Sequence, residues 1–323
     1  MSETSPILWL ILAAFAAVMI LPSTALAYDR EPQKPAIVLA AFGTTDVDAL
    51  QAILNVENKV KAAFPGYDVH VAFTSNIIRK IWHERANDQK FIKANKIPKE
   101  IYNIGNPLTT LALIQENGSR DILVQSLHVT NGSEFDDLNK IVTQLSKIDA
   151  FQESKRPFPY LALGSSALGQ ASKAELERAA GALAPLAAEA KAAGGALLLM
   201  GHGNEHLDVK SYRQFEKAMN DMYEAPVFVG LVEGSPELDD VMEGLKKTGV
   251  KNVTLAPLML VAGDHAKNDM AGDEEDSWAS ILKNAGYEVK IHLQGLGLND
   301  SWADIYIERL RSLESEHVKA ARK

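Results

Sequence analysis

Four side chains able to do acid–base or metal chemistry sit where an apolar run gives way to polar residues and glycine. They are His128 in QSLHVTNG, His202 in LLLMGHGN, Glu233 in VGLVEGSP and His265 in LVAGDH. The chain has no cysteine, which excludes thiolate sites, so any metal chemistry must use His, Asp and Glu, the donors that suit borderline divalent ions. An imidazole also exchanges protons close to neutral pH, so a group that holds an ion can take protons from whatever receives it. Singly, each residue has an ordinary explanation. His202 reads as a turn residue bonding a neighbouring carbonyl, Glu233 as a partner for a helix opening at Ser235, and His265 as a solvated loop residue. Together they read differently. His202, Glu233 and His265 are spaced by 31 and then 32 residues, about one strand-plus-helix unit each time. Two imidazoles and a carboxylate therefore recur at successive strand ends, a ligand set that leaves a coordination position open. Gly201 and Gly203 flank His202, where missing side chains would let a ligand come close.

The elements that must position these residues are visible in the apolar patterning. Short β-rich runs at 36–42, 68–73, 121–128, 160–164, 196–200, 227–232, 253–261 and 288–293 alternate with helix-period segments at 49–64, 134–148, 173–192, 211–223, 237–248 and 277–285. Such alternation predicts α/β architecture, with mostly parallel sheet covered by helices on both faces. Ser172 and Ser235-Pro236 read as helix starts, and Gly194-Gly195, Gly249 and Gly286 as helix stops. The two halves open alike, IVLAAFGT against LLLMGHGN, which predicts two similar lobes: an N-terminal lobe over residues 36–170 and a C-terminal lobe over 171–323 that carries the site. Ligands of open α/β folds sit beyond the carboxyl ends of the strands, where all four residues fall.

Composition narrows the function classes. With 323 residues, 46% of them hydrophobic, the chain can bury a large core. A net charge of −9 without a basic stripe repels phosphate backbones and argues against nucleic-acid partners. Residues 7–21 are uninterruptedly apolar, too short for the roughly 20 residues of a bilayer span, and Ala25-Leu26-Ala27 follows. This reads as a signal peptide over residues 1–27, cleaved after Ala27 to leave a short linker over 28–35 and a periplasmic protein without membrane attachment. The run Asp264, Asp269, Asp273, Glu274, Glu275 and Asp276 is a solvated face or a field that attracts cations to the site mouth. The G-x-G in GLGLND lacks the third glycine of a dinucleotide fingerprint and reads as a turn at the pocket rim; HGNEH at 202–206 does not match a metalloprotease helix.

Several stretches carry a specific resemblance. LLLMGHG, VEGSPELDDVMEGLKKTGV, LAPLMLVAGDHAKNDMAGDEEDSW and QGLG, with AAFGTT, AFTSNIIRK and QSLHVTNGSEFDDL in the first half, resemble the anaerobic sirohydrochlorin cobaltochelatases of the CbiK type, which are class II tetrapyrrole chelatases. The resemblance implies two Rossmann-like lobes with a cleft between them, and insertion of Co²⁺, or Fe²⁺ in some members, into sirohydrochlorin. It maps the family's metal-handling residues onto His202, Glu233 and His265. Phe42, His128, Gly201, Gly203, Met259, Leu260 and Gly263 are then candidates for tetrapyrrole contact. Phe73 is a further candidate for the ring face, and Arg79, Lys80 and Lys267 for its carboxylates. Usual members are cytoplasmic, so the leader marks an exported one, and a homo-oligomer is compatible with the resemblance. Two other classes remain beside it. One is a periplasmic carrier that holds a metal or haem without turnover, with His83 or His128 as axial ligand; the other is a hydrolase whose metal activates water.

Overall fold

The computed structural model describes residues 34–204 and 210–321; the expected signal peptide, its expected cleavage site and His206 lie outside them. In chain order the elements are β1 (Ala36–Ala41), α1 (Val47–Ala63), β2 (Asp68–Phe73), α2 (Asn76–Arg85), α3 (Gln89–Ala94), α4 (Lys99–Tyr102), α5 (Pro107–Glu116), β3 (Asp121–Ser126), α6 (Ser133–Leu145) and β4 (Tyr160–Gly164). The second half continues with α7 (Lys173–Ala182), α8 (Ala184–Ala192), β5 (Ala196–Gly203), α9 (Lys210–Met222), β6 (Val227–Glu233), α10 (Leu238–Thr248), β7 (Asn252–Pro257), α11 (Trp278–Asn284), β8 (Glu288–Ile291) and α12 (Asp300–Ala321). Two parallel four-stranded sheets result, ordered β2-β1-β3-β4 and β6-β5-β7-β8. The same relative order in both halves bears out the α/β reading and the faint internal likeness.

Alternation along the central strands shows how the sheets share a core. Ile37 and Leu39 of β1 and Leu197 and Leu199 of β5 belong to one buried cluster. The intervening Ala36, Val38 and Ala40 face a second cluster, and Ala196, Leu198 and Met200 a third. Each fully buried aliphatic side chain contributes about 1.5–3 kcal/mol. The shared cluster is filled partly by α12, whose Trp302 and Tyr306 are wholly buried. The Tyr306 hydroxyl donates to the Leu127 carbonyl at 3.0 Å, and the Tyr160 hydroxyl of β4 to the Leu313 carbonyl at 3.1 Å, so the last helix returns to the first sheet.

Local chemistry moves several expected boundaries. The helix expected over 173–192 is two helices, because Pro185 has no N–H to continue the ladder across Leu183. Ser172 does cap α7 through a capping box with Glu175. At α10 the capping residue is Glu237, paired with Asp240, and the Ser235-Pro236 bond before it is cis. The strand expected over 253–261 stops at Pro257: the carbonyls of Met259 and Leu260 accept from Leu296 and Gly297 at 2.9 Å each, outside the sheet. GLGLND accordingly docks a turn against α1, where the Asn55 amide donates to the Gly297 carbonyl at 2.9 Å. A Cβ at Gly297 would lie 2.5 Å from the Ala52 carbonyl oxygen.

The outer edge of β6 is sealed by its own surroundings. Val227 N–H donates to Asn220 Oδ1 at 3.0 Å, Val229 N–H to Glu216 Oε2 at 2.6 Å, and Leu231 N–H to the Pro236 carbonyl at 2.8 Å. Asn220 and Glu216 lie one turn apart on α9 and reach alternate residues of the strand. Burial pushes the Glu216 carboxyl pKa up.

Candidate active site

The strand order explains why two residues separated by 63 positions meet. β5 lies between β6 and β7, so the groups at the ends of β6 and β7 flank the one on β5. Gly203 pairs with Glu233 in the β5–β6 register, which places His202 and Glu233 at adjacent strand ends. His202 Nδ1 is 3.9 Å from Glu233 Oε2 and 3.2 Å from the Gly203 carbonyl oxygen. After β7 the chain runs irregularly to His265, which begins a single wide helical turn, Ala266–Met270. That turn brings the His265 ring to 4.9 Å from the His202 ring, edge to face. His265 Nδ1 also lies 2.6 Å from Asp269 Oδ2. The side chains of His202, Glu233 and His265 are each a little under half exposed, open to solvent and ligand alike. Among the described residues no three such groups already converge on one point, so joint ligation requires the side chains to turn toward a common centre.

The glycines beside His202 serve the backbone. A Cβ on Gly201 would lie 2.8 Å from the Tyr212 ring, and one on Gly203, at φ +80°, only 1.8 Å from the Glu233 carbonyl oxygen. Tyr212 bonds the Gly203 backbone and the Thr130 side chain of the other lobe, and burial raises its pKa. Its phenol thereby ties the His202 strand end to the loop after β3. Sequence reasoning missed Tyr212; five residues beyond Gly203 lie outside the described set, and a tyrosine early in a helix carries no signal.

The first lobe faces this site with different chemistry. Ala40 pairs with Ser126 in the first sheet as Met200 pairs with Pro257 in the second, so Phe42 holds the position that His202 holds. Phe42 is 45% exposed, which keeps it available for contact with a flat apolar ligand. Met259, Leu260 and Gly263 are partly buried: Met259 and Leu260 pack on the cores of different sheet faces, and Gly263 lies near Thr44 of the first lobe. Phe73, expected at the ring face, is fully buried and packs over Gly43. The three cations expected to meet carboxylates are also engaged. Arg79 donates to the Thr74 carbonyl at 2.7 Å, Lys267 pairs with Asp46 across the lobes, and Lys80 lies 4.0 Å from Glu84. His83 Nε2 bonds the Ile104 carbonyl at 2.9 Å.

Among the described residues, His128 is the most perturbed imidazole. Its Nδ1 is 2.8 Å from Ser126 Oγ, and its Nε2 is shut away without a hydrogen-bond partner. Desolvation pushes its pKa down to about 4. A depressed histidine pKa means that the unfolded chain takes up a proton below pH 6.5 that the native site refuses until about pH 4. Stability should therefore fall with pH across that window by up to about 1.4 kcal/mol per unit from this group. Urea titrations at pH 7 and pH 5 are expected to show a smaller loss in His128→Asn than in the parent; an equal loss would mean that this ring is not responsible.

Two surface concavities are lined elsewhere. One of about 450 Å³ involves Lys59, Arg178 and Arg311, and one of about 440 Å³ involves Tyr212, Glu216 and Phe228. Asp273, Glu274, Glu275 and Asp276 are exposed on the loop beyond the His265 turn.

Comparison with known proteins converges on one chemistry. A family model described as cobalt chelatase (CbiK) matches residues 35–314. The sirohydrochlorin cobaltochelatase of Salmonella typhimurium is 32% identical over 292 residues, covering 89% of this chain and 99% of that protein. A second, sirohydrochlorin cobaltochelatase CbiKC of Nitratidesulfovibrio vulgaris, is 31% identical over 284 residues, covering 87% and 91%. Among solved structures, the sirohydrochlorin chelatase SirB of Bacillus subtilis subspecies spizizenii in complex with cobalt superposes with TM-score 0.56 at 13% identity, over 87% of this chain and 95% of that one, a likeness of fold.

Proposed function

Because the chain belongs to the CbiK cobalt chelatase family, we propose that it inserts Co²⁺ into sirohydrochlorin at the carboxyl edge of its second sheet, with His202, Glu233 and His265 handling the ion. The observation that carries this reading is the approach of the three side chains from β5, β6 and the turn after β7. Insertion requires the ion to lose water, the macrocycle to lose two pyrrole protons, and the ring to bend so that its nitrogen lone pairs leave the plane. The imidazoles supply nitrogen donors for Co²⁺, and for Fe²⁺ as the other ion this donor set suits, and they accept the protons that the ring releases. Glu233 adds negative charge that offsets the ion. Three donors that are half exposed and must turn to meet favour release into the product over retention. Phe42 supplies an apolar surface for the ring, and binding it bent draws on contacts away from the reacting nitrogens.

The test is anaerobic incubation of the purified protein with excess sirohydrochlorin and Co²⁺, followed by the macrocycle absorption change. Many turnovers per protein support the chelatase; one equivalent bound without further change supports a carrier.

The export signal belongs to the same proposal. Residues 1–27 are expected to be removed and the mature chain to begin at Tyr28 in the periplasm. Amino-terminal sequencing of cell-envelope protein checks this, and an intact Met1 in the membrane fraction would contradict it. At the site mouth, neutralising Asp273, Glu274 and Glu275 together is expected to raise the apparent KM for Co²⁺ modestly at low ionic strength, with the difference vanishing in high salt. An effect indifferent to salt would point to direct ligation or misfolding.

A further inference from the structure

We infer that Asp269 is a positioning residue that sets the tautomer and orientation of His265, so that this imidazole meets the ion and the pyrrole protons through Nε2. The inference rests on the reading of His265 as a metal-handling residue. Asp269 Oδ2 lies 2.6 Å from His265 Nδ1, and an ionised carboxylate only accepts hydrogen bonds, so Nδ1 carries the hydrogen and donates it. The lone pair is then left on Nε2. The two residues are four apart: His265 stands immediately before the short wide turn Ala266–Met270 and Asp269 lies on it. Neighbours on the turn are occupied otherwise: Asn268 donates to Asp264 Oδ1 at 2.8 Å, and Lys267 pairs with Asp46 of the first lobe. His202 reaches the same state by a weaker route, its Nδ1 lying 3.2 Å from the Gly203 carbonyl oxygen, so both rings present Nε2. Carboxylates that hold the distal nitrogen of a metal-binding histidine fix the ring and typically matter 10–100-fold in affinity or activity.

A surface ion pair between positions four apart would produce the same distance, and the two roles differ in what a variant does. Asp269→Ala, Asp269→Asn, His265→Ala and the double variant Asp269→Ala/His265→Ala should be purified and checked for melting temperature. Two measurements follow anaerobically: the ligand-field absorption of Co²⁺ added to the protein alone, and kcat and KM for Co²⁺ and for sirohydrochlorin. A positioning role predicts that Asp269→Ala raises KM for Co²⁺ or lowers kcat by about 10–100-fold. It also predicts an altered ligand-field spectrum and an unchanged KM for sirohydrochlorin. Asp269→Asn, which can still accept from Nδ1, should fall between this variant and the parent. The double variant should be no worse than His265→Ala, because Asp269 acts through that ring. Should Asp269→Ala fail to fold, the isosteric Asn variant carries the same comparison. The inference is overturned if Asp269→Asn and any folded Asp269→Ala insert Co²⁺ at parental rates beside an impaired His265→Ala. It is equally overturned if the double variant loses activity additively. A fully active His265→Ala would instead remove the metal-handling reading itself.

Discussion

Alanine at either His202 or His265 is expected to lower Co²⁺ insertion at least about 100-fold, the usual scale for a positioned acid–base group. Sirohydrochlorin binding and thermal stability should stay near parental values. The expectation follows from placement. Both side chains stand beyond the sheet core, each nearly half exposed, so their removal empties no packed volume. The rings are 4.9 Å apart and reach one region from different elements, so in the proposed mechanism they act together on the ion and on the pyrrole protons of the macrocycle. The double variant should consequently be little worse than either single one, as with other groups that act as a unit. Glu233→Gln should be milder at high Co²⁺, since it removes charge and keeps an oxygen donor. Stopped assays with the product's absorption as readout decide the matter. Parental rates in both single variants would remove His202 and His265 from the mechanism, and joint loss of tetrapyrrole binding and stability would give them a structural role.

Gly203→Ala is expected to be as damaging as losing a histidine, by a different route. Residue 203 sits at φ +80°, where a side chain costs roughly 1–3 kcal/mol. The added carbon would also lie 1.8 Å from the Glu233 carbonyl oxygen, a backbone atom that cannot swing away. The β5–β6 ends must part, carrying His202 from Glu233 and straining the Tyr212 bond to the Gly203 backbone. Gly249→Ala is the matched control: its φ is +72°, but nothing lies within 4 Å of the added carbon. The control should lose only the backbone cost and keep its insertion rate. Equal behaviour of the two variants, in melting temperature and in rate, would show that the close approach to Glu233 does not matter.

The alternating pattern carried most of the sheets, because buried parallel strands must be apolar on both faces. Runs such as 121–128 and 196–200 therefore stand out, and each of the eight observed strands falls on or overlaps an expected one. The meeting of His202 with Glu233 was suggested by spacing alone, but not the reason for it. Spacing does not say that β5 lies between β6 and β7; the order β6-β5-β7-β8 does. The helices between 76 and 116 escaped notice because each is short and only partly apolar, with α3 burying no residue at all. The turn Ala266–Met270 beside His265 escaped notice because its residues are mostly polar and read as loop, while the strand before it was carried too far, to residue 261. Residues 259–260 leave the sheet because the Leu296 and Gly297 amides, distant in sequence, claim their carbonyls. Arg79 misled for a related reason. A cation beside a binding cleft suggests an anion partner, yet its guanidinium is spent on the carbonyls of Phe73 and Thr74 at the end of β2.

The sealed margin of β6 has a consequence for assembly. An exposed parallel edge is a template on which a neighbouring chain or an extended peptide can add a strand, and such growth would extend straight past Glu233. Here a newcomer would have to displace the bonds that Asn220, Glu216 and Pro236 make to Val227, Val229 and Leu231, each worth about 0.5–1.5 kcal/mol, before gaining any of its own. The side of the second sheet that bears the carboxylate is thereby closed to strand exchange. Strand addition is disfavoured on the flank from which it would run past Glu233 and the strand ends.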